Sequence, residues 1–430
     1  MRIALLSDTH FGDPMCSLAA PTEAGQYVLG PAYPQFRAAV GSDLDYLVLV
    51  GDIFDFSVAN YGEAYRAAKP FFQQIATDGT LKRRGGIPAA QLIYLPGNHD
   101  FDVWHQVEYE VNVMRRMHAR KLPRSFRWSV PGVMDLRRNV RRPTFTLPHV
   151  MRDDGSTEYG GLFLDDLTCT DDAESSDEHR FPFCVAFPNL YLLTDDFSAL
   201  VTHGHYLEPY WSLVGEIAPL IAGHDLGVSD PLTVRQLVAL NLPLNQLACS
   251  GLGQAGPLTS IVREVQREVK NGYFERVERY VARLDQRVLD DLADYGWADP
   301  REWISDFIIR FASSKLLDFI KLGKTTRYDA EFLTTARQRR GFGKYMLACQ
   351  AELATLCSDF SLADEAEVQP LSRLMYGHTH LPVAWGARGC TLESDAGQIS
   401  CTNFGGWLHR EPSEAGANLE GAEVVIIENG

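Results

Sequence analysis

Apolar and polar positions alternate in blocks along the first hundred residues. Arg2–Ser7 (RIALLS), Asp45–Val50 (DYLVLV) and Gln91–Leu95 (QLIYL) are short, almost unbroken apolar runs. That pattern belongs to strands buried on both faces. Between the second and third, over roughly Tyr61–Ala76, Ala, Tyr and Phe recur at helical spacing. Strands alternating with helical segments predict a parallel, covered sheet. Further strands are predicted at Phe183–Phe187, Phe197–Thr202, Leu371–Tyr376, Ile399–Phe404 and Val424–Glu428. From about residue 210 to 360 the pattern is helical instead. Ile261–Leu292 spaces its apolar residues three and four apart, and Trp303–Leu322 sets Trp303, Phe307, Phe311 and Phe319 largely on one face. Burial against neighbouring helices is the expected fate of that face, with a membrane or lipid contact as the alternative. The helical block reads as an insertion within one α/β domain whose last strands come from the C-terminal residues.

The predicted strands share one feature at their ends. Asp8-Thr9-His10, Gly51-Asp52, Gly97-Asn98-His99-Asp100, His203-Gly204-His205 and Gly377-His378-Thr379-His380 each follow such a run. Open α/β sheets gather their ligands at the carboxyl ends of strands, so these clusters are expected to converge. Imidazoles, carboxylates and one amide oxygen make a mixed nitrogen–oxygen donor set without thiolate. Such a set suits Mn, Fe, Zn or Co.

The ordered pattern D-x-H, G-D, G-N-H-D, H-G-H, G-H-T-H resembles the calcineurin-like metallophosphoesterase family. It is carried by SDTH (7–10), VGDIFD (50–55), PGNHD (96–100), VTHGH (201–205) and YGHTH (376–380). Asn403-Phe404-Gly405-Gly406-Trp407 is similar to an N-x-G-S-W stretch of that family, with Gly406 in place of Ser. The resemblance covers roughly 1–100, 183–205 and 371–430. It implies a four-layer α/β/β/α sandwich with a large helical insertion. The core would comprise 1–205, with a basic and acidic insertion at about 101–182, and 371–430; residues 206–370 would form the helical insertion or cap. It further implies two divalent ions, Mn first, with Fe, Zn, Mg or Co as other fits. Asp8, His10, Asp52 and His380 would hold the first ion and Asp52, Asn98, His203 and His378 the second, Asp52 bridging. The implied reaction is hydrolysis of a phosphomonoester, phosphodiester or pyrophosphate bond by a metal-bridging hydroxide, with His99 as general acid. Asp55 would orient His99; a plain helix-start cap is the competing reading of Asp55. Asp100 is expected to cap the helix that follows it. For His205 a substrate contact and a structural role both stay open.

Composition narrows the partners. Of 430 residues 45% are apolar and 22% charged, which excludes a mostly disordered chain. The formal charge of −16 disfavours nucleic acid and anionic membranes, so a phosphate-bearing substrate needs a local cation. Residues 115–142 carry ten basic side chains against Asp135, and residues 151–178 carry ten acids against Arg152. These stretches are either solvated or mutually neutralising surfaces. On the sharper reading, Arg137, Arg138, Arg141 and Arg142 overhang a phosphate site. The eight cysteines include no C-x-x-C pair, which points to reduced thiols and a cytoplasmic location. The run Ile3–Leu6 is too short for a secretory signal, and no apolar run reaches the ~20 residues of a membrane span. A phosphate-ester small molecule or nucleotide-type compound is the expected substrate. A nuclease acting on DNA or RNA, and a non-catalytic scaffold of the same fold, are the alternatives. The scaffold reading is weakened because every motif position is filled.

Overall fold

The computed structural model describes residues 1–137, 144–146, 158–169, 180–207, 212, 232–246, 336–360, 368–380, 382–383, 391–394, 397–409 and 421–428. The chain divides into two compact units, Met1–Gln254 with Phe332–Gly430, and Ala255–Glu331. The second unit, and with it the helices expected at Ile261–Leu292 and Trp303–Leu322, lies outside the described residues.

Two sheets form the centre of the first unit. One has five strands in the order Phe183–Val185, Gln91–Leu95, Tyr46–Val50, Arg2–Leu6, Val425–Glu428. Its first four are mutually parallel and the last is antiparallel. The other has eight strands. Along its path stand Pro382–Val383, Gly397–Phe404, Leu371–Tyr376, Ser198–Thr202, Asn189–Leu193, Gly132–Asp135 and Thr144–Thr146, with Thr391–Ser394 also paired to Gly397–Phe404.

Side chains along a strand point alternately to opposite faces, and here both faces are apolar. Ile3, Leu5, Val48, Val50, Ile93 and Leu95 meet Met134, Leu190, Leu192, Val201, Met375 and Phe404 in one core, so the sheets pack face to face. The intervening Ala4, Leu6, Leu47, Leu49, Leu92 and Tyr94 belong to a second core with helix Tyr61–Thr77, which supplies Ala64, Ala68, Phe71, Phe72 and Ile75. Burial on both faces explains the unbroken apolar runs. Truncating Phe71 there costs about 3–5 kcal/mol. The helix starts at Asn60, whose side chain accepts from Glu63 N while Glu63 returns a bond to the Asn60 N–H. On the far side, helix Ala336–Phe360 lies on the second sheet: Tyr345 Oη donates to Asn189 Oδ1 at 2.8 Å and Tyr191 Oη to Glu352 Oε2 at 2.7 Å. The layers are therefore helix, sheet, sheet, helix, the expected α/β/β/α sandwich. The first sheet carries helices on one face only, and the second sheet covers its other face.

Strands Arg2–Leu6, Tyr46–Val50, Gln91–Leu95, Ser198–Thr202 and Leu371–Tyr376 all release the chain at one edge. Main-chain bonds stitch the emerging loops together. Asp8 N donates to Gly51 O at 3.1 Å, His10 N to Asp52 O at 2.9 Å, Gly377 N to His203 O at 3.0 Å and Trp407 N to Asp8 O at 2.9 Å.

Candidate metal centre

The loops that meet at this edge carry Asp8, His10, Asp52, Asn98, His99, His203, His378 and His380. One ligand atom from each of Asp8, His10, Asp52 and His380 lies within 4.8 Å of the others, and the same holds for Asp52, His203 and His378. Asp52 belongs to both groups. Asn98 joins the second through Oδ1, 3.0 Å from His203 Nε2, which is itself 3.2 Å from Asp52 Oδ2. In the first group His380 Nε2 stands 3.2 Å from Asp8 Oδ1 and 3.0 Å from His10 Nε2. Two facing ring nitrogens at that separation need a proton or a cation between them.

The surroundings fix how these side chains point. His203 Nδ1 faces Val50 O at 3.1 Å, which turns Nε2 towards Asp52 and Asn98. His10 Nδ1 faces Asp55 Oδ2 at 2.9 Å, which turns its Nε2 towards His380. A ligating histidine is ordinarily oriented in this way, by a partner on its other nitrogen. The His99 N–H donates to Asp52 Oδ1 at 2.7 Å, and the His378 N–H donates to Asp8 Oδ2 at 3.0 Å. Asn403 holds the G-H-T-H loop, its Nδ2 donating to Gly377 O at 2.7 Å and Thr379 Oγ1 at 2.9 Å. Close approach dictates two glycines. A Cβ on Gly377 would stand 2.1 Å from Asp8 Oδ2, and one on Gly97 2.4 Å from Asp52 Oδ1.

Seven non-glycine residues among those described have positive φ, and five of them are here: Asp8 (54°), His10 (50°), Asp52 (51°), His378 (71°) and His380 (60°). Each such residue costs about 1–3 kcal/mol and persists only where its surroundings impose it. Asp8, His10, Asp52, Asn98 and His203 are buried, whereas His99, His378 and His380 are partly exposed and open the centre to solvent.

Electrostatics point the same way. Burial pushes the Asp8 carboxyl up, but hydrogen bonds to His10 and His380 and the charge of His203 outweigh it and hold the group well below its ordinary range. Burial likewise opposes ionisation of Asp52, and the charges of His203 and His99 overcome it. Asp55 is held low by His99 and His10 against the same penalty. His203 is pushed up to about 9, the Asp52 charge outweighing burial. The carboxylates thus draw positive charge inward, and the donor set fits divalent cations. No thiolate is among the donors, as the sequence indicated.

Asp55 turns to His10 Nδ1 (2.9 Å) and His99 Nδ1 (3.0 Å), while the cap of the next helix is Asn60. Asp100 stands at the start of helix Phe101–Tyr109 without capping it. Its carboxylate accepts from Gly97 N at 2.6 Å, Ile53 N at 2.7 Å and Tyr94 Oη. Burial and the Asp52 charge push that carboxyl up to about 6. His205 lies beside the centre and outside both ligand groups, its ring 5.5 Å from His203 and 6.4 Å from His378. Burial, with the neighbouring His203 and His378 adding to it, holds its imidazole well below the usual range. Ser57, in contact with Asp55 and His99, was missed by sequence reasoning; its position two residues after Asp55 was the available signal.

The basic stretch is corrected in part. Arg137 is buried, and its Nε donates to Asp135 Oδ1 at 2.9 Å. Asp135 aligns with Leu193, and Leu193 with Ser198, the start of the strand that ends before His203. Arg137 therefore sits at the edge opposite the centre and cannot touch a phosphate held there. Arg115 and Arg116 ride on the helical run that starts at Phe101, ~20 Å along its axis. Arg124 and Arg127 meet Glu158 at 3.6 and 3.8 Å, so basic and acidic stretches neutralise each other at these residues. Arg138, Arg141 and Arg142 lie outside the described residues.

Comparison with known proteins adds one finding. A family model described as calcineurin-like phosphoesterase matches residues 1–224, just over half the chain. No curated protein and no solved structure matches.

Proposed function

The chain belongs to the calcineurin-like phosphoesterase family, and on that premise we propose that it is a dinuclear metal-dependent hydrolase acting on a phosphomonoester, phosphodiester or pyrophosphate bond. The observation that carries this reading is the sharing of Asp52 by two adjacent ligand groups. Asp8, His10, Asp52 and His380 are the proposed holders of one divalent ion, and Asp52, Asn98, His203 and His378 of the other. Mn2+ is the first choice, with Fe, Zn, Mg and Co as other fits. When bound, such a pair neutralises phosphate oxygens and brings the pKa of a coordinated water towards neutrality.

The remaining work falls to the chain's own residues. Asp52 keeps its orientation through the His99 N–H (2.7 Å), so the loop that carries His99 also holds the shared ligand on the neighbouring loop in place. His99 is partly exposed, and its Nδ1 is engaged by Asp55 at 3.0 Å. In this reading its Nε2 edge, opposite the one engaged by Asp55, hands a proton to the departing oxygen, a contribution of about 10²–10⁴ in rate. The substrate proposed is a phosphate-ester small molecule or nucleotide-type compound, with the insertion at about 206–370, apart from helix Ala336–Phe360 that covers the second sheet, setting the choice. Among the described residues no helix is long and apolar enough to cross a membrane. Cys16, Cys169 and Cys349 are free thiols, which supports a reducing, cytoplasmic setting as part of the proposal.

The test is metal analysis combined with an activity panel. Apo protein is reloaded with Mn, Mg, Zn, Co or Fe(II), then offered nucleotides, cyclic nucleotides, sugar-nucleotide diphosphates, phospholipids and DNA. Two equivalents of metal and chelator-sensitive release of phosphate from at least one class are expected. A single equivalent, or an inert protein across the panel, overturns the proposal, and cleavage confined to DNA selects the nuclease alternative.

A further inference from the structure

His99 is held by more than the carboxylate that the motif supplies. Its Nδ1 lies 3.0 Å from Asp55 Oδ1 and also 3.0 Å from the hydroxyl of Ser57. Ser57 is 4% exposed. Both its N–H, at 3.0 Å, and its hydroxyl donate to the same Asp55 oxygen. The other Asp55 oxygen receives His10 Nδ1 at 2.9 Å. The main chain reinforces the arrangement: Phe56 N donates to His99 O at 3.1 Å, and Asp55 N to Phe11 O at 2.9 Å.

An ionised carboxylate only accepts, and it offers about four lone-pair directions. Asp55 receives the Ser57 N–H, the Ser57 hydroxyl and His99 Nδ1–H at Oδ1, which is thereby crowded, and His10 Nδ1–H at Oδ2. Each histidine therefore carries a proton on Nδ1 and presents Nε2 to the centre. With its own proton committed to Asp55, the Ser57 oxygen is left to accept, and it faces the same His99 Nδ1–H. That hydrogen is shared between two acceptors. One acceptor alone would let the ring pivot about its Cβ–Cγ bond, whereas two acceptors at the same distance resist the pivot.

We propose that Ser57 is a positioning residue that, together with Asp55, clamps the His99 ring by its Nδ1 edge and aims Nε2 at the departing oxygen. Because one carboxylate serves both rings, the clamp also ties the orientation of His99 to that of the ligand His10. The proposal rests on the hydrolytic reading of the centre and deepens it.

Ser57→Ala and Ser57→Thr test it with two readouts. The first is independent of activity: nitrogen-15 spectra of the histidine rings in the metal-free protein, with His99 assigned by comparison with His99→Gln. A hydrogen-bonded Nδ1 proton on His99 is expected in the wild type and in Ser57→Thr, and exchange-broadened or absent in Ser57→Ala. The second compares p-nitrophenyl and phenyl esters of the same class, monoester or diester, in the Mn2+-loaded protein. A misaimed acid harms the poorer leaving group more, so Ser57→Ala should lower the phenyl to p-nitrophenyl rate ratio ~10-fold with unchanged metal content. Ser57→Thr should restore it. An unchanged His99 resonance, or equal losses on both esters, overturns the role of Ser57. A wild type with the expected resonance and no hydrolysis of either ester overturns the hydrolytic reading instead.

Discussion

Two of the buried polar clusters among the described residues are built on opposite terms. Under helix Ala336–Phe360, Glu352 receives Ser129 Oγ at 2.7 Å, Tyr191 Oη at 2.7 Å and Asn189 Nδ2 at 3.2 Å, while Tyr345 Oη donates to Asn189 Oδ1 at 2.8 Å. Donors there meet acceptors, and none of these residues has positive φ. At the strand ends, ring nitrogens of His10 and His380 face each other at 3.0 Å and five residues hold left-handed backbone. Buried polar groups cost free energy unless they are satisfied. The first cluster is satisfied by the protein itself. The second concentrates acceptors and strain, which is the condition of a site completed by a cation. Burial of polar groups alone does not separate the two; the balance of donors against acceptors does.

The largest effect should come from removing the residue the two ligand groups share. Asp52→Ala is expected to lower metal content by at least one equivalent and turnover on the order of 10³-fold or more. Glu352→Gln, the matching change in the other cluster, should keep both equivalents. Elemental analysis of the two purified variants makes the comparison directly; metal loss in both would erase the distinction.

Next in size is His99→Gln, which keeps the shape of the side chain and removes the proton. Turnover of a poor leaving group should fall about 10²–10⁴-fold while the bound metal stays the same. Full turnover in this variant would leave His99 as a loop residue only.

A third change moves away from the centre. Arg137→Glu places a carboxylate against Asp135 in a buried position and should cost on the order of 3 kcal/mol of stability, read by urea unfolding. Its Michaelis constant for phosphate esters should stay within about twofold of wild type, since so small a ratio is under 0.5 kcal/mol of binding. A raised Michaelis constant without lost stability would return Arg137 to the substrate side.

Legibility of the sequence follows the same division. Strands such as Arg2–Leu6 and Gln91–Leu95 could be read because burial on both faces leaves an unbroken apolar run. Asn189–Leu193 and Gly132–Asp135 escaped, although the first is as long as Arg2–Leu6 and pairs with its chain neighbour Ser198–Thr202, because Asn189 and Asp135 interrupt their apolar pattern and no histidine-bearing cluster follows them. The candidate ligands were legible because particular donor atoms recur at strand ends in a fixed order. Ser57 and Glu352 were not, since a serine in a turn and a glutamate on a helix are ordinary features, and their partners lie 42 and 161 residues away. The arginine stretch misled as a candidate site because charge in sequence does not reveal which carboxylate each guanidinium meets.

The smallest expected effect concerns Glu352 and pH. Burial raises its carboxyl above the ordinary value of 4.5, against the hydrogen bonds from Ser129, Tyr191 and Asn189 that favour ionisation. A carboxyl raised in the folded state binds its proton more tightly folded than unfolded. Its contribution is therefore full below the unfolded value and is lost as pH rises through the folded one. Glu352→Gln keeps the side-chain shape and cannot ionise. The difference in melting temperature between variant and wild type, both metal-free, should shift in favour of the variant between pH 4.5 and pH 7.5 by a few degrees at most. Metal-free protein is the right material, because the centre's own carboxylates and imidazoles are common to both and cancel in the difference. A difference that stays constant with pH, or moves towards the wild type, would mean that the three donors hold Glu352 ionised throughout. The cluster would then be closer in character to the metal centre than its geometry indicates.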